Sequence, residues 1–192
     1  MKARKYKPRC WWCGEDPPYC EYHDKEWGVP VHDDRKMFEM LTLEGFQAGL
    51  SWIIILRKRD NFRKAFKNFD ARKVARFGKA DVARLMRDEG IIRNRLKIAG
   101  AITNARRFLE VQKEFGSFDR YIWGFTGNRT LRNPNGMTRK TMRPTSLESD
   151  ALSKDLKQRG FKFVGSTVCY AHMQATGMVD DHVEGCFKYR KR

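Results

Sequence analysis

The stretch DALSKDLKQRGFKFVGSTVCY, residues 150–170, predicts two helices joined by a tight turn. We expect Ser149 or Asp150 to cap the first helix, since a short polar side chain can accept hydrogen bonds from the free N–H groups of a first turn. Gly160 ends that helix, because glycine adopts the backbone conformation that closes a helix without strain. A second helix is expected from about Ser166 to Thr176.

The turn itself, RGFKFVGS at residues 159–166, has the residues that an anion-binding loop needs. Gly160 and Gly165 permit bends and a close approach of the backbone to a ligand. The N–H groups of the turn and of the helix beginning at Ser166 can hold a phosphate, and Lys162 adds positive charge. An ordinary connection between two helices would show the same glycines. We favour phosphate binding because the whole chain is strongly basic.

Helical patterns dominate the rest of the chain, and strand alternation is nearly absent. One helix is expected to be capped by Asp33 or Asp34. Its inward positions are Met37, Met40, Leu41 and Glu44. Further helices are predicted from near Ser51, over 81–87 and over 94–115, a turn or short helix is predicted over 118–125, and irregular segments are expected at 10–33 and 126–145. The sequence therefore predicts an all-α fold.

The composition indicates a globular protein that binds a polyanion. Hydrophobic residues make up 41% of the 192, which is enough for a core and argues against a disordered or fibrous chain. Lys and Arg number 40 against 23 Asp and Glu, so the net charge is +17. Such a charge favours a nucleic acid as partner, with an anionic membrane as the alternative. The membrane is disfavoured because no long basic amphipathic helix is evident.

Segments that would target the chain to a membrane or for export are not evident. The longest clean apolar run, Trp52 to Leu56, is too short for a membrane span. Residues 1–9 are basic, are expected to be mobile, and lead to Cys10 without an apolar segment. We therefore expect a cytoplasmic protein whose five cysteines stay reduced. No oligomerisation pattern is apparent, so a monomer is expected.

Potential zinc ligands lie near both ends of the chain, at Cys10, Cys13, Cys20 and His23 and at His182 and Cys186. Zinc prefers four thiolate or imidazole ligands in a tetrahedron. The four N-terminal residues alone can form a local knuckle. Alternatively, Cys10 and His23 join His182 and Cys186, which share one side of the chain if their segment is helical, and so clasp the two ends together. Buried thiols without a metal are the third interpretation.

Glu44 and a group of aromatic residues predict a binding pocket. Glu44 occupies an inward position of its helix, and a buried carboxylate is costly unless it is paired or used. It is either the structural partner of a nearby Arg or backbone N–H, or the polar group at the base of a pocket near Trp52. The aromatic residues concerned are Trp11, Trp12, Tyr19, Tyr22, Trp27 and Trp52. Clustered rings can stack a flat ligand and attract a cationic one, although each ring alone is more often part of a core.

Five stretches of the chain together resemble 3-methyladenine DNA glycosylase I, the constitutive bacterial type within the helix-hairpin-helix DNA glycosylase superfamily. They are YHDKEWGVP (22–30), LEGFQAGLSW (43–52), GIIRNRLKI (90–98), the stretch at 150–170 and DHVEGC (181–186). The resemblance runs from about Cys10 to Cys186 and leaves out the basic ends and the 126–145 loop. It implies one glycosylase domain over 10–187, between the basic arm at 1–9 and a basic tail at 188–192.

The resemblance also implies which residues form the metal site and the pocket. It favours the clasp, with one structural Zn²⁺ held by Cys10, His23, His182 and Cys186. Cys13 and Cys20 are then extra thiols. Glu44 matches the base-contacting carboxylate and is the implied catalytic residue. The implied pocket aromatics are Trp12, Tyr19, Tyr22 and Trp52.

Two further segments match parts that contact DNA in the family. Gly49 and Leu50 match a tip whose apolar side chain fills the gap left by an extruded nucleotide. The 159–166 turn matches the hairpin that grips backbone phosphate, through Gly160, Lys162, Gly165 and Ser166. The implied partner is double-stranded DNA that contains an alkylated adenine.

The activity implied is hydrolytic excision of N3-methyladenine, which leaves an abasic site without strand cleavage, since no Lys nucleophile is indicated. A non-catalytic zinc-stapled DNA-binding or lesion-sensing protein is the alternative. One departure from the family concerns VDDHV, where Asp180 stands at the place of a catalytic Asp of many superfamily relatives. We interpret Asp180 as a neighbour of the zinc ligands or a helix cap rather than as a catalytic carboxylate.

Overall fold

The computed structural model describes residues 7–132 and 137–190, and within these ranges the chain is mostly helical, as predicted. The α-helices are α1 (Pro17–Lys25), α2 (Asp34–Gln47), α3 (Trp52–Ala65), α4 (Ala71–Val74), α5 (Lys79–Arg87), α6 (Arg95–Phe115), α7 (Phe118–Trp123), α8 (Leu147–Gln158) and α9 (Ser166–Ala175). Short 3₁₀ helices span Trp11–Cys13, Lys67–Phe69 and Gly124–Thr126. None of the described helices combines the length and hydropathy that crossing a membrane requires.

Side chains that accept hydrogen bonds from the first turn explain several helix starts. Asp33 and Asn94 each accept from the N–H three residues on, at 2.8 and 3.0 Å, and the cap at Asp33 is one of the two that the sequence predicted. Helix α8 begins earlier than expected, because Ser146 caps it instead of Ser149 or Asp150. The Ser146 and Ser149 hydroxyls each accept from the other residue's N–H, at 3.2 and 2.8 Å, so the two serines close the first turn together.

Two segments expected to be irregular contain regular structure. Pro17 starts α1 inside the 10–33 segment, since its fixed φ angle and missing N–H suit the first turn of a helix. In the 126–145 loop, β1 (Leu131–Arg132) pairs in parallel with β2 (Val179–Asp180). Residues 133–136 of that loop lie outside the described residues.

The two ends of the described chain are bonded to each other. The N–H of Phe187 donates to the carbonyl oxygen of Pro8 at 2.8 Å. Arg9 donates to both carboxylate oxygens of Asp24, at 2.8 and 2.7 Å. The predicted N-terminal arm is therefore attached to the domain at its last two residues.

Helix α2 runs through the core, and every residue from Met37 to Phe46 is buried. It packs against α3, α6, α7 and α9. Around it lies a cluster of phenylalanine rings, with Phe46 and Phe62 only 4.8 Å apart between ring centroids. Because α2 is enclosed on all sides, a carboxylate on it must meet either a partner or a cavity.

Candidate base-binding pocket and metal centre

A cavity of about 240 Å³ lies where the N-terminal segment, α2, α9, the first residue of α3 and the loop residues Met142, Arg143 and Pro144 meet. Its aromatic lining consists of Trp12, Tyr19, Tyr22, Trp27, Trp52 and Tyr170. The ring centroids of Trp12 and Tyr19 are 5.2 Å apart and those of Tyr22 and Trp52 are 5.5 Å apart, in tilted contacts that hold the rings against each other. The structure thus brings all four predicted pocket aromatics to one cavity.

Glu44 lines this cavity and has no ion pair or side-chain hydrogen bond with any residue that the structure describes. Burial raises the pKa of Glu44 to about 8, because water cannot solvate its charge. The contrast with Glu39 on the same helix is clear, since Glu39 accepts from Arg59 at 2.7 Å. Glu44 is therefore not the partner of a buried arginine. A positive charge on a ligand would favour its ionised form.

Cys10, His23, His182 and Cys186 form a buried cluster whose ligand atoms all lie within 4.8 Å of one another. The Cys186 sulfur is 3.4 Å from Nε2 of His23 and 3.7 Å from Nδ1 of His182. The Cys10 sulfur is 3.6 Å from Nδ1 of His182. The sequence-predicted clasp residues are thus together in space and can hold a metal ion.

The groups around this cluster orient its ring nitrogens. Nδ1 of His23 lies 2.9 Å from the Asp24 carboxylate, and Nε2 of His182 lies 3.2 Å from the Trp27 carbonyl oxygen. Each histidine therefore uses one nitrogen for a protein acceptor and turns the other toward the sulfur atoms, which is the usual arrangement around a protein-bound metal.

Cys13 and Cys20 lie outside the cluster. The Cys13 thiol donates to the Cys10 carbonyl oxygen at 3.2 Å, and the Cys20 thiol donates to the Gly14 carbonyl oxygen at 3.4 Å. The segment from His182 to Cys186 is a turn and not the helix that their spacing suggested. Its two candidate ligands converge because the Cys186 N–H closes the turn on the Val183 carbonyl, at 3.0 Å.

The predicted DNA-contacting tip follows the end of α2. Gly49 has a φ angle of +81°, a left-handed conformation that glycine adopts readily. The Gln47 side chain donates to the Leu50 carbonyl oxygen at 2.7 Å. Nζ of Lys97 donates to the carbonyl oxygens of Phe46 and Ala48, at 2.9 and 2.6 Å. One ammonium group therefore fixes the C-terminal end of α2, from which the tip at Gly49 and Leu50 extends.

The predicted hairpin between α8 and α9 is clamped by Asn104 of α6. The Asn104 amide accepts from the Lys162 N–H at 2.7 Å and donates to the Lys162 carbonyl oxygen at 2.9 Å. Gly160 has a φ angle of +85°, and Gly165 directly precedes α9. The Ser166 hydroxyl contacts Ser149 and Asp150, so its side chain joins the two helices.

A family model described as methyladenine glycosylase matches residues 12–189. The chain belongs to the methyladenine glycosylase family. Two bacterial relatives show the same match over nearly their whole length. The chain is 50% identical over 181 residues to DNA-3-methyladenine glycosylase 1 of Escherichia coli K12, covering 94% of this chain and 96% of the relative. It is 46% identical over 179 residues to DNA-3-methyladenine glycosylase of Haemophilus influenzae, covering 93% and 96%.

Solved structures of the methyladenine glycosylase family have the same fold. A crystal structure of 3-methyladenine DNA glycosylase I superposes with a TM-score of 0.92 at 47% identity, covering 95% of this chain and all (100%) of the other. A Staphylococcus aureus structure, described as the basis of 3-methyladenine recognition by that enzyme, superposes with a TM-score of 0.91 at 33% identity, covering 96% and 97%. The resemblance seen in the sequence motifs is thereby confirmed.

Of the two interpretations of Asp180, the structure agrees with a neighbour of the cluster residues and excludes a helix cap. Asp180 lies in β2, pairs with Arg132 at 3.0 Å and accepts from the His182 N–H at 3.3 Å, so it caps no helix and supports the backbone of a cluster residue. The sequence reasoning missed Tyr170 and Gln174, which line the cavity from α9. The signal was the spacing of Thr167, Tyr170, Ala171 and Gln174, which places all four on one face of a helix.

Proposed function

We propose that the protein is a DNA repair glycosylase that extrudes N3-methyladenine from alkylated DNA and hydrolyses its glycosidic bond. The observation that carries this proposal is the unpaired Glu44 carboxylate in an aromatic cavity. The relatives that share this chain's family are named for the same substrate. Methylation at N3 gives the adenine ring a positive charge, which suits both the aromatic walls and an acidic group.

Glu44 selects adenine through the exocyclic amine. Its carboxylate accepts a hydrogen bond from that amine, and the positive ring stabilises the ionised carboxylate. A guanine presents a keto oxygen at the same position, and that oxygen would face the carboxylate without a hydrogen between them. Glu44 is therefore proposed as the catalytic and base-contacting residue, with Trp12, Tyr19, Tyr22 and Trp52 stacking the ring.

The reaction needs less help from the protein than excision of an undamaged base does, because the leaving group is already cationic. The bond between C1′ and N9 breaks, and its electron pair neutralises the ring as free 3-methyladenine leaves. Water adds to the oxocarbenium-like C1′ and loses a proton, so the product is an abasic site. No lysine attack on the sugar is proposed, and the enzyme is monofunctional.

Binding of a duplex is proposed to come from three parts of the chain. The charge of +17 attracts the phosphates, and the hairpin grips them through Gly160, Lys162, Gly165 and Ser166. The Leu50 side chain beside Gly49 fills the vacated stack while the base is extruded, a step that costs about a few kcal/mol. A single domain over 10–187 acts as a monomer, with basic extensions at 1–9 and 188–192.

We propose that the buried cluster binds one structural Zn²⁺. Tetrahedral zinc with bonds of about 2.0–2.3 Å separates its ligand atoms by about 3.3–3.8 Å. The contacts of 3.4, 3.6 and 3.7 Å in the cluster fall within that interval. Backbone N–H groups of Val183 and Lys188 point at the two sulfurs, both at 3.5 Å, as thiolate ligands require. Such an ion would tie the N-terminal segment to the C-terminal turn, and four protein ligands leave no position for a catalytic water.

Release of free base from methylated duplex DNA tests the proposal against a non-catalytic lesion-binding protein. Wild type should release 3-methyladenine, detected by chromatography, while Glu44→Gln should lose about 10²- to 10³-fold in rate and keep its fold and metal. Duplex binding by wild type without base release would favour the non-catalytic alternative. Equal rates for the two proteins would remove Glu44 from the mechanism.

A further inference from the structure

The structure contains a buried hydrogen-bonded group that none of these roles uses. Asp181 is 2% exposed, and its Oδ2 atom accepts hydrogen bonds from the Tyr170 hydroxyl and from Nε2 of Gln174, each at 2.7 Å. Tyr170 and Gln174 line the cavity from one face of α9, whereas Asp181 lies behind them. The group therefore connects a carboxylate outside the cavity to two polar side chains inside it.

We propose that Asp181 is a positioning residue that sets the hydrogen-bond direction of the cavity wall formed by α9. This inference rests on the proposed function of the pocket. A tyrosine hydroxyl has one hydrogen, and Tyr170 gives it to Asp181, so the Tyr170 oxygen can only accept from a ligand. The Asp181 carboxylate also fixes the orientation of the Gln174 amide, because only the amide nitrogen can donate a hydrogen bond to a carboxylate.

The amide orientation leaves Oε1 of Gln174 as a second acceptor. Among the described residues none donates a hydrogen bond to this oxygen. The α9 wall thus offers two oxygen atoms, the Tyr170 hydroxyl oxygen and Oε1 of Gln174, that can only accept hydrogen bonds from a ligand. The ionised Glu44 carboxylate on α2 is likewise only an acceptor. Asp181 achieves this from outside the cavity, so it shapes the wall without touching the base.

Two acceptor-bearing walls fit the proposed cationic adenine better than its guanine counterpart. The exocyclic amine and the positive charge of an N3-alkylated adenine favour acceptors around the ring. An N3-alkylated guanine carries a keto oxygen instead of the amine, and neither the Tyr170 oxygen nor Oε1 of Gln174 has a hydrogen to donate to it. Asp181 is therefore expected to contribute to the choice between the two alkylated purines as well as to affinity.

The test compares Asp181→Leu, which removes the acceptor, with Asp181→Asn, which keeps one acceptor oxygen. Both are assayed on one methylated duplex for the amounts of N3-methyladenine and N3-methylguanine released, with KM and kcat for N3-methyladenine. Asp181→Leu should raise KM about tenfold with a smaller change in kcat, and lower the adenine-to-guanine release ratio about tenfold. Asp181→Asn should restore most of both values.

Asp155→Asn is the matched control, since Asp155 also accepts from a tyrosine hydroxyl, that of Tyr121 at 2.6 Å, and does not line the cavity. It should leave KM and the release ratio at wild-type values. Zinc content is measured for every variant because His182 follows Asp181. If Asp181→Leu does not fold, Tyr170→Phe replaces it in the test. This substitution removes only the hydroxyl that donates to Asp181.

The outcomes separate this inference from the proposed function. A folded, zinc-containing Asp181→Leu with wild-type KM and release ratio would overturn the positioning role, as would a Tyr170→Phe variant with an unchanged ratio. An equal loss in Asp155→Asn would also overturn it, because the effect would then come from losing any buried tyrosine–aspartate bond and not from the cavity wall. A wild-type protein that releases no base would instead overturn the proposed function itself.

Discussion

The sulfur of Cys186 lies 3.4 Å from Nε2 of His23, although 163 residues separate them in the chain. Both residues belong to a four-membered cluster that joins the two ends of the domain. The segment between Cys10 and His23 also carries three aromatic residues of the cavity wall, namely Trp12, Tyr19 and Tyr22. The metal cluster and the pocket therefore share one segment of the chain. A substitution that alters the cluster should also alter the shape of the pocket.

Replacing His182 with Ala should lower zinc content and thermal stability together. A ligand that binds only the folded state at a thousandfold excess over its Kd contributes about 4 kcal/mol, or about 8–16 °C in a domain of this size. Elemental analysis gives the metal content, and melting curves with and without a chelator give the stability.

Cys20→Ser is the matched control for the zinc prediction. The Cys20 thiol donates to the Gly14 carbonyl oxygen and lies outside the cluster, so this variant should keep its metal and its response to the chelator. If His182→Ala still bound one zinc per chain, the local knuckle with Cys13 and Cys20 would replace the clasp.

Glu44→Gln should stabilise the protein at alkaline pH and not in acid. The pKa of Glu44 is about 8 in the folded protein against an ordinary value of 4.5. A raised carboxyl pKa adds stability below pH 4.5 and loses it as the pH rises toward 8, on the order of a few kcal/mol in all. Melting temperatures of the two proteins should therefore diverge between pH 4.5 and 8, with Gln higher. A difference that stays constant over this interval would contradict the raised pKa.

Leu50→Ala should reduce excision from duplex DNA without weakening the binding of free 3-methyladenine. The side chain is proposed to act only on the stack, since Leu50 does not line the cavity. We expect a loss of about tenfold or more in the rate of base release. Leu50→Met keeps the apolar volume and should remain near wild type. Parallel losses in release and in free-base affinity would place Leu50 in the pocket instead.

Lys97→Met should loosen the tip by removing the donor for the Phe46 and Ala48 carbonyls. Each lost charge-assisted bond costs about 1.5–3 kcal/mol, part of which water can replace at this half-exposed site. Base release from duplex DNA should fall while affinity for the free base stays unchanged. Lys58→Met is the control, because Nζ of Lys58 also donates to a backbone carbonyl, that of Glu89 at 2.8 Å. Equal effects of the two substitutions would argue against a specific role for Lys97.

Local chemistry made much of the fold predictable. The cap at Asp33 was predictable because a capping side chain and the apolar repeat that follows it lie within a few residues of each other. The pair β1–β2 could not be predicted, since strands of two residues show no alternation and their partners are 48 positions apart. Ser146 was missed because its cap depends on a reciprocal bond with Ser149, another serine, where Glu or Gln is the usual signal.

The candidate site was only partly predictable for a similar reason. Glu44 could be identified because burying a carboxylate in an apolar helix face costs free energy, and the helical spacing of that face can be read from the sequence alone. Tyr170 and Gln174 look like ordinary helix residues until the cavity is known, and Asp181 is hidden between Asp180 and His182. Their role depends on the contacts that Tyr170 and Gln174 make with Asp181 and with the cavity, and residue spacing does not predict those contacts.

The placement of the cluster has a consequence for biosynthesis. A ribosome delivers Cys10 and His23 early, but His182 and Cys186 emerge within the last dozen residues of this chain. The segment between Cys10 and His23, which carries part of the aromatic wall, therefore meets its two distant cluster partners only after His182 and Cys186 have been synthesised.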